Sequence, residues 1–423
     1  MKKRKGAGLT ARHPKTDPTS IAKNTILSFL LASLAGAAGG LFWNGSLWGL
    51  LVVALVPSIG LCLPKGPSSI FFLFYYLSAI RSVPAFYTIF YSLAPPFAGI
   101  PVWLAWGVCL SGPWILARHL HFSREGVTIP VRLLIGYLPS FFPPLWFVGG
   151  LSPLFPAGIL FPGLGISGFL LLGILQGIVL DFFKTGSIRH IPAFLLLVLV
   201  SGLTHVAHEK TVPARWTAID TRGEPRPLVL RPPWEMEVAK KALAEIVSGA
   251  RVVLLPEGIA SFWAKDSAGG ISLPYPWSAV DREARARHAS VLVGSEIPRN
   301  SGMRVWDDDM VALGEGGVRL FSARQPIPVA GWNPFSKSHH EPAHWGKTGV
   351  VTIGGHRALV SLCFEDLLIG AQVEGELLGR PEVVLSADNL WFSKGTSERG
   401  IQSVSIRSIG RLFGIPVLRA VNQ

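Results

Sequence analysis

Apolar and polar positions follow two different rhythms along this chain. Before about residue 208, apolar runs alternate with short polar or Pro/Gly breaks, and each run approaches the roughly 20 residues that a helix needs to cross a bilayer. Seven spans are predicted, at about 25–43, 47–63, 68–91, 98–117, 133–150, 159–181 and 191–207. After residue 208 the pattern changes to short β-branched runs between amphipathic segments. Strands are expected in WTAID (216–220), RVVLLP (251–256), ASVLVGSEI (289–297), GVVTIGG (349–355), ALVSLCF (358–364), EVVLSAD (382–388) and IPVLRAV (415–421). Helices are expected over 233–249, opened by Pro and closed by Gly, and over 396–414. The expected plan is a basic cytoplasmic head (1–24), a membrane domain (25–207) and an exported α/β domain (208–423) with helices flanking a sheet core.

Composition supports this division. The chain is 49% hydrophobic, with a mean hydropathy of +0.41, high for a soluble chain of this length. The formal net charge of +13 is just as uneven: residues 1–207 hold 14 Lys and Arg against 3 Asp and Glu, and residues 208–423 the other 25 against 23. The basic residues also orient the spans. With the first span entering from the cytoplasm, the basic head, Lys65, Arg118, Arg124, Arg132, Lys184 and Arg189 fall on the cytoplasmic side. The opposite loops, at 44–46, 92–97 and 151–158, contain no Lys or Arg. Seven is odd, so everything beyond residue 208 is exported, and a bacterial inner-membrane location is expected. The excess charge is topological, so no direct nucleic-acid binding is expected: the head lacks interleaved aromatics and a binding fold. It is also too long and polar for a cleaved signal peptide.

Within the spans, LAGAAGG (34–40) offers a small-residue face for close helix packing. Asp181 reads as a boundary charge beside Lys184, and Arg81 as a near-membrane charge of open role. Cys62 and Cys109 fall inside predicted spans and read as packing residues. Cys363 is alone in the exported domain, so it cannot form an internal disulfide there. It ends a predicted strand where the chain turns into EDLLIG, a position that presents a nucleophile at a sheet edge. Glu257 ends the strand RVVLLP, where a carboxylate can take a thiol proton and return it to a leaving group.

The segments LLPEGIASFW, SLCFED, VLSADNLWFSKGT and IQSVSIRSIGRLFGIPVLRAVN, in this order after a multi-span region, resemble apolipoprotein N-acyltransferase, a membrane member of the nitrilase (carbon-nitrogen hydrolase) superfamily. The resemblance covers the exported domain, and loosely the membrane part. It implies an α-β-β-α sandwich with a Glu-Lys-Cys triad, whose cysteine takes an acyl chain from phospholipid as a thioester and passes it to a lipoprotein amine. It carries Glu257 over as general base and Cys363 as nucleophile, with Glu365 matching a further acid. Asp388 and Asn389 match the family's Asn-Asp pair in exchanged order. Membrane lipids, and lipoprotein or conjugation-machinery proteins, are the partners implied; no cofactor and no metal is expected.

The departures are equally specific. Ala323 stands where the family has its lysine, and Gly331 where it has a glutamate. Arg324 is adjacent and takes the lysine's place only if the loop shifts by one residue; Lys337, Lys347 and Lys394 have no motif behind them. The short-ended C-terminus, at Gln423, resembles the conjugal transfer proteins of the TraB type encoded on plasmids of rhizobia and agrobacteria. Two functions follow: an N-acyltransferase or amidase working through a Cys363 thioester, or a non-catalytic nitrilase-fold scaffold in an envelope or conjugation complex. HHEPAH (339–344) reads as a flexible loop without a metal set, and WDDDM (306–310) as a solvated turn.

Overall fold

A computed structural model describes residues 18–91, 94–121, 125–206, 210–223, 231–260, 262–264, 270–299, 305–328, 331–333, 335–336 and 340–423. Most of the basic head, Lys337 and His339 lie outside the described residues.

The first half is helical: α1 (Pro18–Leu41), α2 (Leu47–Val53), α3 (Val56–Cys62), α4 (Lys65–Ala79), α5 (Val83–Phe90), α6 (Gly99–His119), α7 (Glu125–Tyr137), α8 (Ala157–Leu160), α9 (Ile166–Thr185) and α10 (Ile191–Thr204). Among the described residues, three helices are long and apolar enough to cross a membrane, within α1, α6 and α9, and α4 with α5 makes a fourth if that pair, bent by 44°, is one span. This corrects the expectation of seven. Prolines and glycines break the other apolar runs: Pro57 opens α3, and residues 133–150 end in two 3-10 turns around Pro139, Pro143 and Pro144. α10 is apolar but has only 14 residues. The small-residue face works as expected, since a Cβ on Gly36 or Gly40 would fall 2.2 Å from a backbone oxygen of α4. Outward-facing leucines on α1 and α10, such as Leu34 and Leu203, stay exposed, as they would for lipid contact. Asp181 pairs with Arg189 at 3.1 Å and with His190 at 3.4 Å, in place of Lys184.

The second half is a four-layer α/β domain. One sheet has the order β1 (Trp216–Ala218), β2 (Val252–Leu254), β3 (Ser290–Pro298), β4 (Trp306–Gly314) and β5 (Arg319–Ser322). The other has the order β6 (Val350–Ile353), β7 (His356–Leu362), β8 (Val383–Asn389) and β9 (Val417–Asn422). Pairing is parallel for β1-β2-β3 and β7-β8-β9 and antiparallel elsewhere. Alternation along the strands sends Leu254, Leu292 and Met310 of one sheet, and Val360, Leu362 and Leu385 of the other, into a shared dry core. The opposite face of the first sheet packs on α11 (Arg231–Val247) and α12 (Trp277–Ala286). The second sheet is covered by α13 (Ile369–Glu374) and α14 (Glu398–Phe413).

All seven expected strands form. The sequence reading missed β4, β5 and α12. WDDDM is not a turn: it opens β4, with Asp307, Asp308 and Asp309 all buried.

The two halves share one core. Phe364, Leu367, Ile401 and Leu412 of the α/β domain cluster with Phe155, Phe161 and Phe169 of the helical half. Gly163 and Gly165 donate backbone N–H groups to Arg411 and Leu412 carbonyls at 2.8 and 2.7 Å, and the Ser408 hydroxyl donates to the Phe155 carbonyl. The α/β domain is met by the segments around Gly45 and Gly158 and by the α4–α5 break, where Arg81 donates to the Ser397 hydroxyl at 3.3 Å; Lys65 and Arg118 contact His121 and the Leu63 carbonyl at another connection.

Candidate active site

Two strand ends build the site. Pro256 ends the run after β2, and the chain turns there with Glu257 at the tip. Gly294 on neighbouring β3 permits this, because a Cβ there would come within 2.4 Å of the Glu257 Cα. From the other sheet, β7 ends at Leu362 and a 3-10 turn, Cys363–Leu367, follows. Cys363 opens that turn at φ +41°, a left-handed conformation that a non-glycine residue adopts at a cost.

The two side chains meet. The Cys363 thiol, the Glu257 carboxyl and the Asp308 carboxyl from β4 line one cavity, where Glu257 stands beside both of the others. Cys363 Sγ also lies 3.9 Å from the Asn389 carbonyl. Burial pushes Glu257 up to about 7, although the Asp308 and Cys363 side chains beside it pull it back. Asp308 is pushed well up by burial and by Glu257 beside it, so the two carboxyls titrate as a pair. Burial also pushes the Cys363 thiol up, and the Glu257 and Asp388 carboxyls add to the effect.

Cys363 faces two cavities. The polar one, about 140 Å³, is lined by Glu257, Glu296, Asp308, Ala323, Gly331 and Glu341 among others, and no Lys, Arg or His is among the described residues that line it. The apolar one, about 80 Å³, runs under α4, α5 and α6 between Val83, Phe86, Trp106, Phe364 and Phe392. Phe86 and Phe90 of α5 pack on Phe392 with ring centroids 5.0 and 4.6 Å apart. The helical half therefore supplies one wall of the thiol's surroundings.

The remaining sequence candidates divide clearly. Ala323 does line the polar cavity, so the missing lysine leaves an apolar methyl there. Arg324 faces the other way: its guanidinium lies 2.7 Å from Glu365 Oε2 and donates to the Ala371 carbonyl at 2.6 Å, with both residues fully buried. Glu365 Oε1 also accepts the backbone N–H of Gln325 at 3.2 Å. This pair locks the turn after Cys363 to the loop after β5. Asp388 lies behind the thiol, 2.5 Å from the Arg419 guanidinium. Asn389 is held by Asn422 Nδ2 at 2.8 Å. Lys347 bonds Ser322 at 3.3 Å, and Lys394 is exposed.

Three carboxyls of the cavity escaped the sequence reading: Asp308, Glu296 and Glu341. Glu341 sits inside HHEPAH, which is not simply solvated: His344 Nε2 lies 2.8 Å from Asp307, and Glu341 accepts from Trp306 Nε1 at 3.1 Å. Glu341 packs over Gly331, where an added Cβ would meet its Oε2 at 2.4 Å. A carboxyl from a later loop thus occupies the space of the side chain absent at 331. Burial, then Asp308 and Glu296, push Glu341 up to about 8. The alternation that buries Asp308, in DDDMVALG, was the available signal.

No family model matches the chain. Among curated proteins, the probable conjugal transfer protein TraB of Sinorhizobium fredii is 27% identical over 359 residues, covering 82% of this chain and 86% of that one. The chain is similar to TraB-type conjugal transfer proteins. The TraB protein of Agrobacterium fabrum is 26% identical over 423 residues, spanning 93% of this chain and 92% of its own. Among solved structures, an amidase from Nesterenkonia sp. aligns over 49% of this chain and 75% of its own, at 16% identity and a TM-score of 0.35. A carbon-nitrogen hydrolase from Helicobacter pylori G27 aligns over 49% of this chain and 72% of its own, at 11% identity and a TM-score of 0.36.

Proposed function

We propose that this chain is an inner-membrane protein of plasmid conjugal transfer whose exported α/β domain transfers acyl groups through Cys363. The meeting of Cys363 and Glu257 in one cavity, with Cys363 at a strained turn between a polar and an apolar cavity, carries this reading. As sulfur attacks an ester or amide carbonyl, the thiol proton passes to Glu257 and the S–C bond forms. Glu257 then returns that proton to the leaving alcohol or amine as the carbonyl–heteroatom bond breaks, leaving a thioester. An incoming amine, or water, then attacks the thioester carbonyl and gives its proton to Glu257, which passes it to the sulfur as the S–C bond breaks, so that the amide or acid leaves and the thiol is restored. With its pKa raised to about 7, Glu257 is poised to accept and donate within a narrow free-energy range. The apolar cavity suits an acyl chain, and its wall of membrane helices gives such a chain a route from lipid.

A second reading, a nitrilase-fold scaffold, is favoured by one observation: Ala323 lines the polar cavity where a cation would stabilise the oxyanion. Conjugal transfer from donors carrying Cys363→Ala separates the two. The enzymatic reading expects transfer to fall to the level of a donor deleted for the whole chain. Wild-type transfer by Cys363→Ala, with the deletion impaired, establishes the scaffold.

A further inference from the structure

A groove of about 690 Å³, larger than either cavity at Cys363, lies where the helical half meets the outer face of α14. Its charged lining residues are Lys210, Arg407 and Arg411, and no Asp or Glu is among the described residues that line it. Its apolar wall includes Leu47, Val404 and Ile415. Arg407 and Lys210 are exposed.

α14 separates this groove from the thiol. Glu398 and Gln402 face the apolar cavity beside Cys363, whereas Val404, Arg407 and Arg411, at helical spacing on another face, look into the groove. A ligand held here is therefore not in line for attack by sulfur.

The groove opens at the ends of three apolar helices: the loop after α1, the segment before α9, and the end of α10 at Thr204. Next to it in the chain, Trp48 is 80% exposed and Leu203 63% exposed, an aromatic and an aliphatic surface of the kind found where helices leave a bilayer. Apolar perimeter and clustered positive charge thus meet at one level.

We infer that this groove holds one anionic phospholipid of the surrounding bilayer, its phosphate between Arg407, Arg411 and Lys210 and its chains along Leu47 and the α10 perimeter. The inference rests on the membrane reading proposed above but not on the thiol chemistry. Charge complementarity selects an anionic over a zwitterionic headgroup.

The test uses the full chain in nanodiscs of phosphatidylcholine with or without phosphatidylglycerol, with retained lipid counted by native mass spectrometry after detergent release. Wild type should retain one phosphatidylglycerol in preference to phosphatidylcholine. Lys210→Ala with Arg407→Ala should weaken that retention on the order of tenfold while leaving the iodoacetamide reactivity of Cys363 unchanged, which also reports intact folding. Arg407→Lys should keep most of it. Glycerol phosphate at millimolar concentration should displace none, because the chains contribute; displacement by it would overturn the lipid in favour of a soluble phosphate ligand. Equal retention of both lipids, or unchanged retention by the double variant, would overturn the proposal outright. Failure of wild type to enter any nanodisc would overturn the membrane reading, and this inference with it.

Discussion

Two buried carboxyls flank Cys363, and their surroundings could hardly differ more. Glu365, two residues on, has the Arg324 guanidinium at 2.7 Å and backbone N–H groups on its other oxygen. Glu257, across the cavity, shares its space with Asp308, Glu341 and Glu296, and no Lys, Arg or His is among the described residues that line it. A buried charge with a matched partner holds the fold; buried acids without one keep their protons and pay in desolvation, and such sites collect where chemistry is done. The arginine that sequence reasoning offered as a substitute for the lysine belongs to the first group.

That contrast can be broken from the structural side first. Arg324→Ala leaves Glu365 buried and uncompensated, and should cost about 3–5 kcal/mol, read as loss of folded protein or a lowered denaturant midpoint. Arg324→Met with Glu365→Leu should cost much less, because both charges leave together. Equal losses for the single and double variants would mean that the pair's geometry, not its charge balance, is what the fold needs.

The unmatched side can be altered by adding what it lacks. Ala323→Lys would place an ammonium in the polar cavity, opposing the carboxyls that raise the Cys363 thiol. Iodoacetamide labelling of Cys363 at pH 7 should then rise on the order of tenfold, since an opposite charge shifts a pKa by about one unit or more. No change in labelling would show that residue 323 does not address the sulfur.

Smaller still is the effect of pH on stability. Glu257 at about 7, Glu341 at about 8 and Glu376 at about 8 all lie above the ordinary carboxylate range, each chiefly through burial. The native state therefore retains protons that the unfolded chain releases. Their stabilising contribution is complete below the ordinary carboxylate pKa and is lost as pH rises through these raised values. Thermal unfolding should occur several degrees lower at pH 8 than at pH 5, and Glu341→Gln should flatten that dependence. A melting temperature that climbs from pH 5 to pH 8 would mean these acids are ionised in the folded state.

Much of this was legible in the sequence, for local reasons. The β-branched runs around Val252, Val360 and Val384 fixed their strands, and the breaks after Pro256 and Leu362 placed Glu257 and Cys363 at strand ends. What was hidden depends on the third dimension. Asp307, Asp308 and Asp309 look like solvent-seeking residues until a neighbouring strand and a loop histidine cover them. Glu341 lies far from Gly331 in motif terms, yet loop packing puts its carboxyl over that glycine. The helical half misled in the opposite direction: apolar length was right, but Pro57, Pro139, Pro143 and Pro144 cut two of the expected spans into shorter helical pieces.

The central claim concerns a proton passing between one sulfur and one carboxyl. Purified full-length chain incubated with p-nitrophenyl butyrate should gain a single hydroxylamine-sensitive butyryl group by intact mass. The group should be absent in Cys363→Ala, and its formation in Glu257→Gln slowed by about 10² to 10⁴. Wild type that stays unacylated, or Glu257→Gln acylated at the wild-type rate, would contradict the account.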